Sequence, residues 1–260
     1  MFKIILILSV SFFSVACIDS SQKQTESVAR DKGVHLVELD WDYVGEKGPD
    51  KWGALQPEFS ACDSGKAQSP IDLVGENSAG LSAIKYHYNN TKNPVIKNNG
   101  HTIQIDYGPG SYAIIQEKKY NLLQFHFHSP SEHQIHGKQA DLVAHLVHKA
   151  DDGEIAVIAL MFDEGDRNEF LAAIWGAMPK NYGNVILNYT MNVINMLPGG
   201  KAYFHYMGSL TTPPCTEQVN WNILSAHVPI SAGQINAFKR IFPNSTRPIQ
   251  PLNGRKIKTM

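Results

Sequence analysis

Between Ile84 and Leu123 apolar and polar positions alternate in a recurrent series of short runs. Short alternating runs, Ile84 to Tyr88, Val95 to Lys97, His101 to Asp106, Tyr112 to Gln116 and Tyr120 to Leu123, are separated by Asn-Asn, Asn-Gly and Gly-Pro-Gly segments. That punctuation predicts strands joined by tight turns. Ile155 to Phe162 is continuously apolar and suits a strand buried on both faces, and Tyr203 to Tyr206 and Gln218 to Leu224 return to strand character. Apolar residues at helical spacing occur in Asn168 to Ala177 and in Ser231 to Ile241, where Ser231 can cap the helix. Trp41 to Gly53 mixes aromatics with turn formers, which predicts an irregular packed segment. The pattern predicts a mainly β, α+β fold: a single domain around a large, mostly antiparallel central sheet with a few short peripheral helices.

The first 35 residues follow a different pattern. Lys3 precedes an apolar run from Ile4 to Ala16, long enough for a signal-peptide core and short for a membrane span. Ser14, Val15, Ala16 and Cys17 resemble the lipobox of bacterial lipoproteins, in which the cysteine becomes the lipidated first residue; a plain cleavable signal is the alternative. Ile18, not aspartate, follows Cys17, so the inner-membrane retention signal of such lipoproteins is missing. Residues 1–17 therefore read as a signal peptide with a lipobox, 18–35 as a polar, flexible tether, and 36–260 as the folded domain. Export to the periplasm, or to the outer membrane as a lipoprotein of a Gram-negative bacterium, is the expectation. Three cysteines in an exported chain is an odd number, which lipidation of Cys17 would explain. Cys62 and Cys215 are then left to pair, stabilising the fold by about 4 to 5 kcal/mol on the chain-entropy model; two buried thiols are the alternative.

With 260 residues, 43% hydrophobic and carrying a net charge of -1, the chain offers no electrostatic footprint for nucleic acid, so a small ligand is expected. Its histidines are concentrated between Gln124 and His148. His126 and His128 alternate with Phe125 and Phe127, which in a strand puts the imidazoles on one face and the phenyl rings on the other. His145 lies in the alternating run Leu142 to Val147, on a strand that can return antiparallel to the first across a turn near Gly137. Three imidazoles with a fourth position open form the ligand set of a catalytic zinc site. His148 falls on the face opposite His145 and reads as a buried structural residue. The string His126, His128, Glu132 also fits the first metal motif of cupins, in which Glu132 would be a ligand of iron or manganese.

The strings Gln68-Ser-Pro-Ile-Asp72, Asn99-Gly-His101, Gln124-Phe-His-Phe-His128, Ser131-Glu-His133, His145-Leu-Val-His148, Gly208-Ser-Leu-Thr-Thr-Pro-Pro-Cys215 and Arg247-Pro-Ile-Gln-Pro-Leu-Asn-Gly-Arg255 occur in this order. Together they resemble the bacterial α-class carbonic anhydrases over Leu36 to Lys258. The resemblance implies a zinc lyase that hydrates carbon dioxide reversibly to bicarbonate and a proton by attack of zinc-bound hydroxide, with Zn2+ on His126, His128 and His145. It implies that Thr211 orients the hydroxide and is itself fixed by Glu132, and that Val147, Val157, Leu210, Thr212 and Trp221 form the substrate pocket. His101 takes the proton-shuttle position, which its ordinary pKa suits. Gln104 stands where a polar residue helps order water, and Gln124 where a partner holds the second nitrogen of His126. The implied partner is a small molecule, with membrane contact only through a lipid anchor on Cys17 and a homodimer as the candidate assembly.

At Val143 the chain departs from the family pattern: better-known members carry glutamate there, which holds the second N–H of the third ligand. Two other classes stay open at this point: a non-catalytic binding module of the same fold, and a cupin-like metal oxidoreductase.

Overall fold

The computed structural model describes residues 40–74, 76, 77 and 80–260, with the backbone alone at 76 and 77. The expected signal peptide, the expected lipidation site Cys17, the expected tether and the expected domain start at Leu36 lie outside the described residues. The strands of three or more residues are β1 (Lys85–His87), β2 (Val95–Asn98), β3 (Ile103–Asp106), β4 (Tyr112–Ile115), β5 (Lys118–His128), β6 (Leu142–Lys149), β7 (Ile155–Glu164), β8 (Gly183–Ile186), β9 (Tyr203–Ser209), β10 (Glu217–Leu224) and β11 (Val228–Ile230). The main sheet runs β8-β2-β3-β5-β6-β7-β10-β9 and is completed at its far edge by the two-residue strands Lys258–Thr259 and Glu76–Asn77. Most pairings are antiparallel; β7 with β10, β7 with β11 and the far edge are parallel, so the sheet is mixed. The β7–β10 step is parallel because the chain between them passes through a helix and a long excursion instead of a hairpin.

The short helices are α1 (Trp52–Leu55), α2 (Ala61–Ser64), α3 (Glu169–Ala177) and α4 (Ala232–Lys239). Asn168 caps α3 by accepting from the Leu171 N–H, and Ser231 and Gln234 form a reciprocal capping box on α4. Leu171 and Ile174 of α3 and Ile235 and Phe238 of α4 cover one face of the sheet, meeting Phe125, Phe127, Leu146 and Ile158 in the larger apolar cluster. The opposite face carries a second cluster, in which Val143, Val157, Tyr206, Val219 and Trp221 pack beneath the histidines.

The runs Tyr120 to Leu123 and Gln124 to His128 are one strand, β5, and between them the ladder slips by one residue. Val147 pairs with Gln124 but His148 pairs with Leu122, leaving Leu123 as a bulge, 44% exposed. Because side chains alternate with period two, one extra residue reverses which face each later side chain takes. Tyr120 and Leu122 point into the larger cluster before the bulge, and Phe125 and Phe127 do so after it. Without the bulge His126 and His128 would face that core.

Candidate metal centre

β5 and β6 run antiparallel with His145 opposite His126 and Val143 opposite His128, so the three imidazoles project from adjacent positions of one sheet face. One nitrogen from each lies within 4.8 Å of the others. The hydrogen bonds fix which nitrogen is free. His128 Nδ1 donates to the Ser245 carbonyl at 2.6 Å, with the Tyr43 hydroxyl at 3.4 Å, which turns Nε2 to the triad, buried and without a hydrogen-bond partner. His126 Nδ1 donates to Gln124 Oε1 at 2.9 Å, again freeing Nε2. His145 Nδ1 and His128 Nε2 converge on the same oxygen, Glu132 Oε2, at 3.9 and 3.7 Å, so His145 turns Nδ1 toward the shared point. Burial, reinforced by the neighbouring His128, holds the His126 and His145 rings well below the usual histidine value, so both are neutral at pH 7 as ligation requires. Three buried or half-buried imidazoles that each turn a nitrogen to one point, two of them held neutral by burial, are a set of donors fit for a divalent transition metal.

Glu132 is fully buried, and desolvation raises its pKa against the opposing effects of His128, the Thr211 hydroxyl and Arg247. Its Oε1 accepts from the Arg247 N–H at 3.1 Å. The Arg247 guanidinium is itself buried and donates to Gln68 Oε1, the Ser69 carbonyl and the Cys62 carbonyl, each at 2.8 Å. The two distant strings around Gln68 and Arg247 are thereby one structure, which backs the carboxylate. Cys62 and Cys215 form a disulfide, at the base of the turn that carries Thr211 and Thr212.

A cavity of about 140 Å³ opens beside the triad and is lined by His101, Gln104, Gln124, His126, His128 and Thr212, with Trp41 and Tyr43 on its rim. Gln104 donates to Asp106 Oδ1 at 2.8 Å. His101 is half-buried, and its ring stacks on Trp41 at 3.5 Å, nearly parallel. Burial pushes its pKa down to about 4, outweighing the Asp42 and Asp40 carboxylates. A readily ionised surface histidine is the expectation from its place after Asn99-Gly100; in the fold Trp41, sixty residues upstream, covers one face of the ring. On the apolar side Val157 and Trp221 are buried, and Val147 and Leu210 pack against their cluster from the partly exposed rim. Trp221 Nε1 donates to the Ser209 carbonyl at 2.8 Å, which holds the indole edge-on to His145 at 4.9 Å.

Val143 is fully buried and offers His145 no polar atom, and His145 Nε2 has no hydrogen-bond partner. His148 bonds through both nitrogens, accepting from the Tyr88 hydroxyl at 2.8 Å and donating to the Leu146 carbonyl at 2.9 Å, which is the structural role expected of it. The roles of Tyr43 and Ser245 carry no local signal in the sequence: one contact uses a main-chain carbonyl, and the other joins segments far apart in the chain.

A buried carboxylate beside three converging imidazoles, with a cavity lined by polar side chains on one side and an apolar wall on the other, defines a candidate catalytic metal centre. The profile of the eukaryotic-type carbonic anhydrase family matches residues 47–260, and the chain belongs to that family. It is 42% identical over 219 residues to a carbonic anhydrase of Pectobacterium carotovorum, covering 84% of this chain and 89% of that one. Its fold matches that of a hyperthermostable carbonic anhydrase from an active hydrothermal vent chimney with a TM-score of 0.82 at 43% identity, over 85% of this chain and 99% of the other. It also matches the α-carbonic anhydrase of Thermovibrio ammonificans, in complex with the inhibitor sulfanilamide, with a TM-score of 0.81 at 38% identity, over 84% and 98% of the two chains. The chain is a carbonic anhydrase acting on a small-molecule substrate, and the cupin-like and non-catalytic readings are set aside.

Proposed function

We propose that the metal is zinc and that the chain works as an exported carbonic anhydrase with the residue roles below. The observation that carries this reading is the convergence of His126, His128 and His145 on one point, two of them held by hydrogen bonds through Nδ1 that turn Nε2 toward it. Zinc bound there supplies Lewis acidity, which makes water acidic enough to become a nucleophile near neutral pH. The chain does the rest. Glu132, backed by the Arg247 N–H, accepts a hydrogen bond from the Thr211 hydroxyl, so that the Thr211 oxygen is left to accept from the attacking group and fixes its orientation. Val147, Val157, Leu210 and Trp221 give carbon dioxide an apolar berth, and Thr212 borders the cavity. Gln104 and Gln124 line the path from the triad to His101, which passes the proton to solvent. The N-terminal pattern supports export, with Cys17 as the lipid anchor.

Elemental analysis combined with stopped-flow carbon dioxide hydration tests the reading on the wild type and on His145→Ala. Stoichiometric zinc, hydration blocked by sulfanilamide, and loss of both metal and activity in the variant are expected. Zinc without hydration, or stoichiometric iron, would refute it. For the anchor, a Cys17→Ser variant should leave the membrane fraction, and its retention there would count against lipidation.

A further inference from the structure

The third histidine is not the only ring with an unmet nitrogen. His133, fully buried, has no partner at Nδ1, while its Nε2 lies 2.6 Å from the Tyr206 hydroxyl. The His133 and His145 rings are 6.2 Å apart between centroids and nearly perpendicular, and Trp221 lies against both, at 4.6 and 4.9 Å. Val143 belongs to the same cluster as Tyr206 and Trp221. A buried N–H or ring nitrogen left without a partner is costly, and two such atoms on neighbouring rings ask for a common solution. One water making two hydrogen bonds of about 2.8 Å each would satisfy both atoms, and such a site needs at least two polar partners, which these nitrogens are.

We propose that one buried water bridges His145 Nε2 and His133 Nδ1 in the place a longer acidic side chain would fill, and that His133 thereby acts as the positioning residue of the third ligand. The proposal rests on the reading that His145 ligates through Nδ1. Proton bookkeeping then runs in one direction. His145 Nε2–H donates to the water, the water donates to His133 Nδ1, His133 Nε2–H donates to the Tyr206 oxygen, and the Tyr206 hydroxyl donates to Ser69 Oγ at 2.7 Å. Ser69 Oγ also accepts from the Ser209 N–H at 3.0 Å, which anchors the relay to the β9 backbone. Each ring nitrogen has a defined role, so the tautomer that His145 needs for ligation is the one the relay selects. Gly208 keeps this corner open: a Cβ there would lie 2.2 Å from Ser69 Oγ and 2.7 Å from the Tyr206 ring.

Two measurements test it. A crystal structure of the zinc-loaded protein, at a resolution that orders internal waters, should show one water within hydrogen-bonding distance of both nitrogens, and Val143→Glu should displace it. Zinc release to a chelator should be roughly 10-fold faster in His133→Phe than in the wild type, whereas in the Val143→Glu background the same change should have less than about a 2-fold effect, since the carboxylate then holds His145 directly. A dry gap, with His145 Nε2–H against the Trp221 face, overturns the proposal, as does an equal effect of His133→Phe in both backgrounds. Should His133→Phe fail to fold, the first measurement decides alone. A wild type that takes up no zinc fails the metal reading, and the water's presence or absence in the metal-free crystal still decides the bridge.

Discussion

His126 and His128 each turn one nitrogen to the metal point and tie the other to Gln124 or to the Ser245 carbonyl, whereas the outer nitrogen of His145 has no hydrogen-bond partner. The three ligands share a strand pair and a burial class near enough to make the comparison fair, so the difference isolates what a second hydrogen bond does. It orients the ring and selects the tautomer before any metal arrives. A site held this way has two preorganised ligands and a third whose orientation depends on packing against Trp221 and on whatever meets its outer nitrogen.

The comparison breaks most completely if the face of β5 is reversed. Deleting Leu123 removes the bulge and should abolish stoichiometric zinc by elemental analysis, whereas Leu123→Ser, which keeps the count of residues, should bind zinc like the wild type. The next largest effect concerns the grips themselves. Gln124→Ala should speed zinc release by about 10 to 100-fold, and Val143→Glu should slow it by a comparable factor, both read by chelator competition. Equal release rates in wild type and Val143→Glu would mean that His145 is already as well held as its neighbours.

The contrast extends to histidines that face no metal. His148 is satisfied at both nitrogens as a neutral ring, and burial pushes its pKa down to about 4 from an ordinary 6.5. The unfolded chain therefore takes up a proton near pH 6.5 that the folded chain refuses until about pH 4. Stability should fall as pH drops through that window, by up to about 3 kcal/mol from this group. His148→Gln, which keeps a polar partner for Tyr88 but does not titrate, should flatten the pH dependence of Tm between pH 6.5 and 4. The smallest effect belongs to His101. Trp41→Ala should return its pKa toward 6.5, measured by NMR titration, and raise hydration turnover a few-fold in weak buffer; an unchanged pKa would show that the stack is not what withdraws the ring from water.

Much of this was legible in the residues. Period two placed His126 and His128 on one face and Phe125 and Phe127 on the other, and the caps at Asn168 and Ser231 stand at the starts of the two longer helices. Cys62 and Cys215 are joined as the cysteine count suggested. What escaped was non-local. Nothing near Ser245 announces that its carbonyl will hold His128 from 117 residues away, because every residue has a carbonyl. The parallel step between β7 and β10 is invisible in either strand's pattern, and β8, a short edge strand with three exposed residues, lacks the alternation that marks a strand. The bulge was hidden for a different reason: two alternating runs of opposite phase look like two strands.

That phase reversal has a genetic consequence. At Leu123 the exposed side chain is dispensable and the residue is not, so substitutions there are nearly silent while in-frame loss of its single codon turns the Phe125 and Phe127 rings toward the cleft and two imidazoles into oil. The length of β5 upstream of His126 is inherited as a parity.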